Sequence, residues 1–228
     1  NAISVNASGV SIAGTVQDKS FIQSANSQGV FGKAISIGTL KTALNAIVRH
    51  ADGTLSVFGT SSETLGGKKL AGVRDGVLIK VSKTGAISSV VRSSAPRAQR
   101  SWASATSTLF LTGSVKSGTT SESAITKFTS SFAPTWTTRI ASTGPTLAAN
   151  GPKQSFYVAL EPTAAIKGLS QFKLVKGQSL VLQFDSKGLL VGAFSAAEMG
   201  AAKAIAYSAV GGLFLLTENG IFRVGGAR

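Results

Sequence analysis

"DGTLSVFGTSS", residues 52–62, opens on a polar turn, runs through an alternating stretch, meets a glycine and ends in small hydroxyls. Its reading decides the fold, because the chain repeats it. "GVSIAGTV" (9–16), "STLFLTGSV" (107–115), "QSFYVALEPT" (154–163) and "GGLFLLTENG" (211–220) have the same form: a small or polar turn, then about five residues rich in β-branched and aromatic types. A Gly-Thr or Gly-Ser step closes the first three copies in chain order. Such runs, bounded by turn residues, are strand signals. The copies start at Val10, Leu55, Leu109, Phe156 and Leu213, with spacings of 45, 54, 47 and 57 residues.

Other segments recur around each copy. Behind it lie "DKSFIQSANSQG" (18–29), "DGVLIKVSKTG" (75–85), "ESAITKFTSSF" (122–132), "QSLVLQFDSKG" (178–188) and "NGIFRVGG" (219–226). A further strand follows in four copies: "VFGKAISIG", "AISSVVRSS", "APTWTTRIAS" and "LLVGAFSAA". One more precedes each: "AISVNAS", "ALNAIVRHAD", "SWASATS", "TLAANGP" and "AIAYSAV". The unit is therefore a four-stranded meander, A-B-C-D, present almost five times. A lone meander cannot cover both its faces, whereas copies arranged around an axis cover one another. The expected fold is all-β: a β-propeller of about five four-stranded blades, the last incomplete, in one domain with approximate units 1–40, 41–95, 96–144, 145–198 and 199–228. Ala, Gly and Ser are plentiful in strands A and B, where blades would crowd. A solenoid or sandwich fits the repeat length less well. The last blade lacks strand D, which residues before Asn1 would supply, or "NAISV" itself if that is not strand A of the first unit.

"GTLSVFGTSS" with "DGVLIKVS", and more loosely "STLFLTGSV" with "ESAITKF", resemble the β-propeller repeat of bacterial secreted and cell-surface proteins. The resemblance implies an extracellular or surface propeller. It carries no common catalytic residues.

Composition sets the chemistry. The 228 residues hold 23 Lys+Arg against 9 Asp+Glu, a formal charge of +14, with a pI near 10.5. A field of that sign favours anionic partners over a Debye length of about 8–10 Å. The 43% hydrophobic content is enough for a sizeable core. Absence of cysteine excludes disulfides, thiolate metal sites and cysteine nucleophiles. No apolar run is long enough to be a transmembrane helix. The chain begins at Asn1 without Met, which leaves room for a removed leader or an anchor upstream.

The B–C connection is long in two units, "SETLGGKKLAGVR" (62–74) and "EPTAAIKGLSQFKLVKG" (161–177). Long loops on a rigid scaffold tend to carry recognition. Both are basic, so Lys68, Lys69 and Arg74, with Lys167, Lys173 and Lys176, are candidate binding residues. The plainer reading has the loops cap the fold, with Leu65, Leu70, Leu169 and Phe172 packed down. A second column lies within strand C: Gln23, Lys80, Lys127, Gln183 and Arg223. Lys80, Lys127 and Arg223 would line an anion-attracting channel, or pair with acids that begin strand C.

Those acids are Asp18, Asp75, Glu122 and, less clearly, Glu218. Glycosidases need two carboxylates converging on one bond. Acids repeated at the same point of each unit read instead as turn-forming side chains. The single His50 cannot build a multi-histidine metal site, and no motif supports a Ser-His-Asp arrangement. Trp102, Trp136, Tyr157 and Tyr207 fall on strands and read as core; only Phe172, in "QFKLVK", resembles an aromatic among basic residues. The sequence thus predicts a non-enzymatic scaffold, extracellular or at the cell envelope, engaging a protein or an anionic envelope polymer. It predicts no cofactor and no metal. A carbohydrate-active enzyme is the alternative, and nucleic-acid binding a weaker one.

Overall fold

Alternation along the strand Phe156–Pro162 shows how the sheets are buried. Phe156, Val158 and Leu160 enter one apolar cluster, while Tyr157 and Ala159 enter another. A strand buried on both faces reads as a continuous apolar run, which is why "FYVAL" lacks a polar face. The structure is a computed structural model that describes residues 2–224 except 170, 174 and 196.

The chain divides into two compact units. The first holds residues up to Ser107 together with Val115–Gly118; the second holds Thr108–Ser114 and the residues from Thr119 onward. In the first unit, β1 (Ala2–Asn6), β2 (Gly9–Val16), β3 (Lys19–Ala25) and β4 (Ile35–Thr39) form an antiparallel four-stranded sheet in chain order. β5 (Thr42–Arg49), β6 (Leu55–Ser61), β7 (Asp75–Val81) and β8 (Ile87–Ser93) form the next, and β9 (Ala98–Ala105) packs on β5, β6 and β7. The segment "AISV" is strand A of the first sheet, with Ala2 opposite Ala13 and Val5 opposite Val10. Ala13, Ile22, Ile47, Val57, Val77 and Ile79 bury the space between these two sheets.

In the second unit, β10 (Phe110–Ser117, of which residues up to Ser114 belong here), β11 (Thr120–Phe128), β12 (Pro134–Asn150), β13 (Phe156–Pro162), β14 (Leu180–Phe184) and β15 (Leu190–Phe194) follow one another antiparallel. β16 (Ala202–Ser208), β17 (Gly212–Thr217) and β18 (Gly220–Val224) form a three-stranded sheet among the described residues. The sequence separates "APTWTTRIAS" from "TLAANGP", whereas the structure runs both through the single 17-residue β12. An irregularity between Thr143 and Leu147 bends it where Gly144 adopts φ +70°, so one strand serves two blades without a loop.

Each unit is also tied by buried hydroxyls. Ser20 Oγ donates to the carbonyl of Thr42, Thr60 Oγ1 to that of Arg100 and Thr112 Oγ1 to that of Thr146; Ser179 Oγ accepts from the N–H of Ala202. In every case a residue of one blade holds the inner strand of the next. Burial makes each bond matter, since an unpaired carbonyl there would have no water to turn to.

Candidate functional site

Loop 62–74 is not slack. At its apex Gly66 and Gly67 take φ of +54° and +72°, and Leu65 and Lys68 exchange backbone hydrogen bonds across the turn. Leu65 is buried, 4% exposed, and belongs to the apolar cluster of its unit. Below it sits Asp75, wholly buried, whose carboxylate accepts from the N–H groups of Ala71 and Gly72 at 3.0 and 2.9 Å. Arg92 completes the anchor. Its Nη1 meets Asp75 Oδ2 at 3.0 Å, its Nε donates to the carbonyl of Lys68 at 3.1 Å and its Nη2 to the carbonyl of Glu63.

Glu63 also turns inward. Its carboxylate accepts from Thr39 N–H, Thr39 Oγ1 and Thr42 Oγ1 at 2.8, 3.0 and 2.6 Å. Partial burial pushes its pKa up, but these hydrogen bonds, with Lys41 nearby, outweigh that and hold it below the ordinary value. Both carboxylates beside the loop are thus engaged internally. Lys68, Lys69 and Arg74 remain exposed, with no carboxylate partner among the described residues. Leu70 stays at the surface, so the capping expected of it does not occur.

In the second unit, Leu169 is buried and Phe172 packs on the apolar cluster, while Lys167, Lys173 and Lys176 are exposed. Phe172 is therefore partly committed to the core. Loop 161–177 also borders a cleft of about 480 Å³, lined by Trp136, Arg139, Ile166, Lys167, Phe184 and Leu190. Trp136 stands edge-on to Phe156 and Phe184, and Phe156 stacks with both Phe110 and Phe184. Nothing in the sequence spacing joins strand D of one unit to the loop of the next, so the sequence places Trp136 only in the core and does not single out Arg139.

In the strand-C column, Lys80 faces Ser56, Gln183 faces Tyr157 and Arg223 faces Phe214, each the second residue of its strand-B copy, whereas Gln23 faces Ile12, the third. Its side chains do not share one role. Gln23 donates to the carbonyl of Gly32, and Lys127 donates to that of Ser186 at 3.0 Å with its ammonium 5.0 Å from the Phe110 ring centre. Lys80 is half-buried near His50, and Arg223 is exposed. Of the acids beginning strand C, Glu122 pairs with Arg139 at 3.3 Å on the surface, and Asp18 and Glu218 lie in exposed two-residue turns.

His50 shares a 2.8 Å hydrogen bond with buried Ser56. Burial lowers its pKa, against the pull of Asp52 and with the push of Lys80. Asp52 itself caps Thr54 through both N–H and Oγ1. No group of three or more metal-ligating side chains occurs among the described residues.

No family model matches the chain, and no curated protein is similar to it in sequence. Solved structures are. The chain resembles the WD40 domain of Neurospora crassa Pan2 with a TM-score of 0.53 at 11% identity, over 94% of this chain and 57% of that one. It also aligns with the Dos1 propeller (0.48, 11%, 90% and 53%) and with the PQQ-bound aldose sugar dehydrogenase of Streptomyces coelicolor (0.42, 12%, 96% and 87%). The chain spans just over half the length of the first two. At such identity the likeness concerns the fold. The finer resemblance to bacterial surface repeats has no matching family model behind it. Four-stranded antiparallel sheets in chain order, with the Pan2 likeness, establish the β-propeller fold.

Proposed function

We propose that the chain is a non-enzymatic propeller scaffold that binds an acidic partner, a protein or an anionic polymer, through its basic B–C loops. The observation that carries this reading is the anchoring of loop 62–74. Asp75 and Glu63 spend their charge inward, while Lys68, Lys69 and Arg74 face solvent on a backbone already held in place. A pre-ordered loop loses little entropy on binding, and unneutralised cations steer an anionic partner. An extracellular or envelope location belongs to the same proposal. The enzyme alternative draws on strand-C acids, and two of these are committed elsewhere, Asp75 to Arg92 and Glu122 to Arg139.

The test is fluorescence anisotropy with labelled poly-L-glutamate at several salt concentrations. Replacing Lys68, Lys69 and Arg74 together with Glu should weaken binding at least about tenfold and flatten its salt dependence. The circular dichroism spectrum should not change, because all three side chains are exposed. Wild-type affinity in the triple variant, or binding that persists unchanged in high salt, would overturn the reading.

A further inference from the structure

At the other end of the same strands, the first unit holds a second basic feature that the loops do not explain. An open cavity of about 710 Å³ is walled by the end of β3, the β3–β4 connection, the β5–β6 turn and the β7–β8 turn. Arg49, Lys33 and Lys83 line it, and no carboxylate does. Asp52, in the adjoining turn, keeps its carboxylate on Thr54.

Arg49 is the organised element. Its guanidinium donates from Nε to Ser8 Oγ at 2.9 Å, from Nη1 to Ser11 Oγ at 3.0 Å and from Nη2 to the Ser8 carbonyl at 3.0 Å. Ser8 is itself held by Asn6 Oδ1, and Ser11 by Ser24 Oγ, another lining residue. Asn6 Nδ2 donates to the carbonyls of Arg49 and His50, and Ser4 Oγ accepts the Arg49 N–H. Every acceptor is neutral. A half-buried cation is thus locked in one orientation with no counter-charge among the described residues, one N–H left on each Nη. Holding a charge in that way is costly unless an anion completes it. The two flexible lysines reach the same cavity and have no acidic partner among the described residues.

We propose that this cavity binds a tetrahedral oxyanion, a phosphate or sulfate group carried by a ligand. A planar fork fixed by serines suits two oxygens of such a group, and mobile ammonium groups suit the rest. The site is separate from the B–C loops and needs none of their residues.

Thermal unfolding in sodium phosphate, sodium sulfate and sodium chloride at matched ionic strength tests it. Phosphate or sulfate should raise Tm over chloride by about 5 °C once present at a hundred times its Kd. Lys33→Gln/Lys83→Gln, both at exposed side chains, should weaken that binding at least about tenfold, and Arg49→Lys should weaken it with the charge retained. Lys68→Gln/Lys69→Gln should leave it intact, which keeps this site distinct from the proposed loop surface. Glycerol 3-phosphate against long-chain polyphosphate then separates a small ligand from a polymer: whichever loses affinity in Lys33→Gln/Lys83→Gln is the carrier class. A phosphate effect no larger than chloride's, or one lost only in the Lys68→Gln/Lys69→Gln variant, would overturn the proposal.

Discussion

Arg92 and Asp75 form a buried ion pair, 3.0 Å apart with 7% and 0% of their side chains exposed, and loop 62–74 hangs from it. Such a pair says little about net stability while whole, but half of it is expensive. Asp75→Asn should destabilise the fold by about 3–5 kcal/mol, measured by urea unfolding. Arg92 would keep its bonds to the carbonyls of Lys68 and Glu63 but lose its counter-charge. Amide exchange should accelerate at Ala71 and Gly72 before it does in the strands.

The hydroxyl ties between blades predict a different signature. In Thr112→Val the shape is kept, but the carbonyl of Thr146 loses its 2.8 Å donor in a buried place. The expected loss is about 1–3 kcal/mol. Exposed Thr135→Val, whose hydroxyl bonds the Lys127 carbonyl at the surface, should cost under about 1 kcal/mol. Equal losses in the two variants would mean that burial does not set the strength of these ties.

How much of this was legible follows from the range of each interaction. The repeat was readable because period-2 alternation and turn glycines are local, so "GVSIAGTV" maps residue for residue onto β2. The continuity of β12 was not, because Gly144 in "STGPT" reads as a turn residue, whereas it sits at an irregularity inside one strand. Asp75 was visible as a repeated acid and its turn-capping role was anticipated, since it bonds residues three and four positions away. Arg92 lies 17 positions off, and only the folded sheet brings it there. Arg49 stood beside His50 in "VRHADG", yet its serine partners are 38 and 41 positions away. Local chemistry reads from sequence; side chains that meet across strands and blades do not.

Stability should fall with acid in two stages. His50 has a pKa held below its ordinary 6.5 by burial, so the unfolded chain binds that proton more readily. Its contribution is complete above about pH 6.5 and is lost as pH falls toward the depressed folded value. Glu63 is also held low, so its contribution is complete above its ordinary 4.5 and is lost as pH falls below that. His50→Gln should flatten the upper part of the Tm–pH curve, and Glu63→Gln the lower part. A His50→Gln curve parallel to wild type between pH 7 and 5 would refute the first assignment.

The glycine within "LSVFGTS" predicts the sharpest loss. A Cβ on Gly59 would lie 1.9 Å from the carbonyl oxygen of Ala43, inside any permitted contact, and the obstacle is backbone rather than a movable side chain. Strand A can come so close because β5 slips register between Leu44 and Ala46 directly opposite. Gly59→Ala must therefore push β5 away from β6 and open the cluster that Leu44, Ile47 and Val57 share. We expect a loss of at least about 3 kcal/mol, or failure to fold. Gly67→Ala is the control: nothing lies within 4 Å of its Cβ, and only the φ of +72° opposes it, at about 1–2 kcal/mol. If the two substitutions cost the same in urea unfolding, the closing glycine of the repeat serves the turn it leads into and not the approach of strand A.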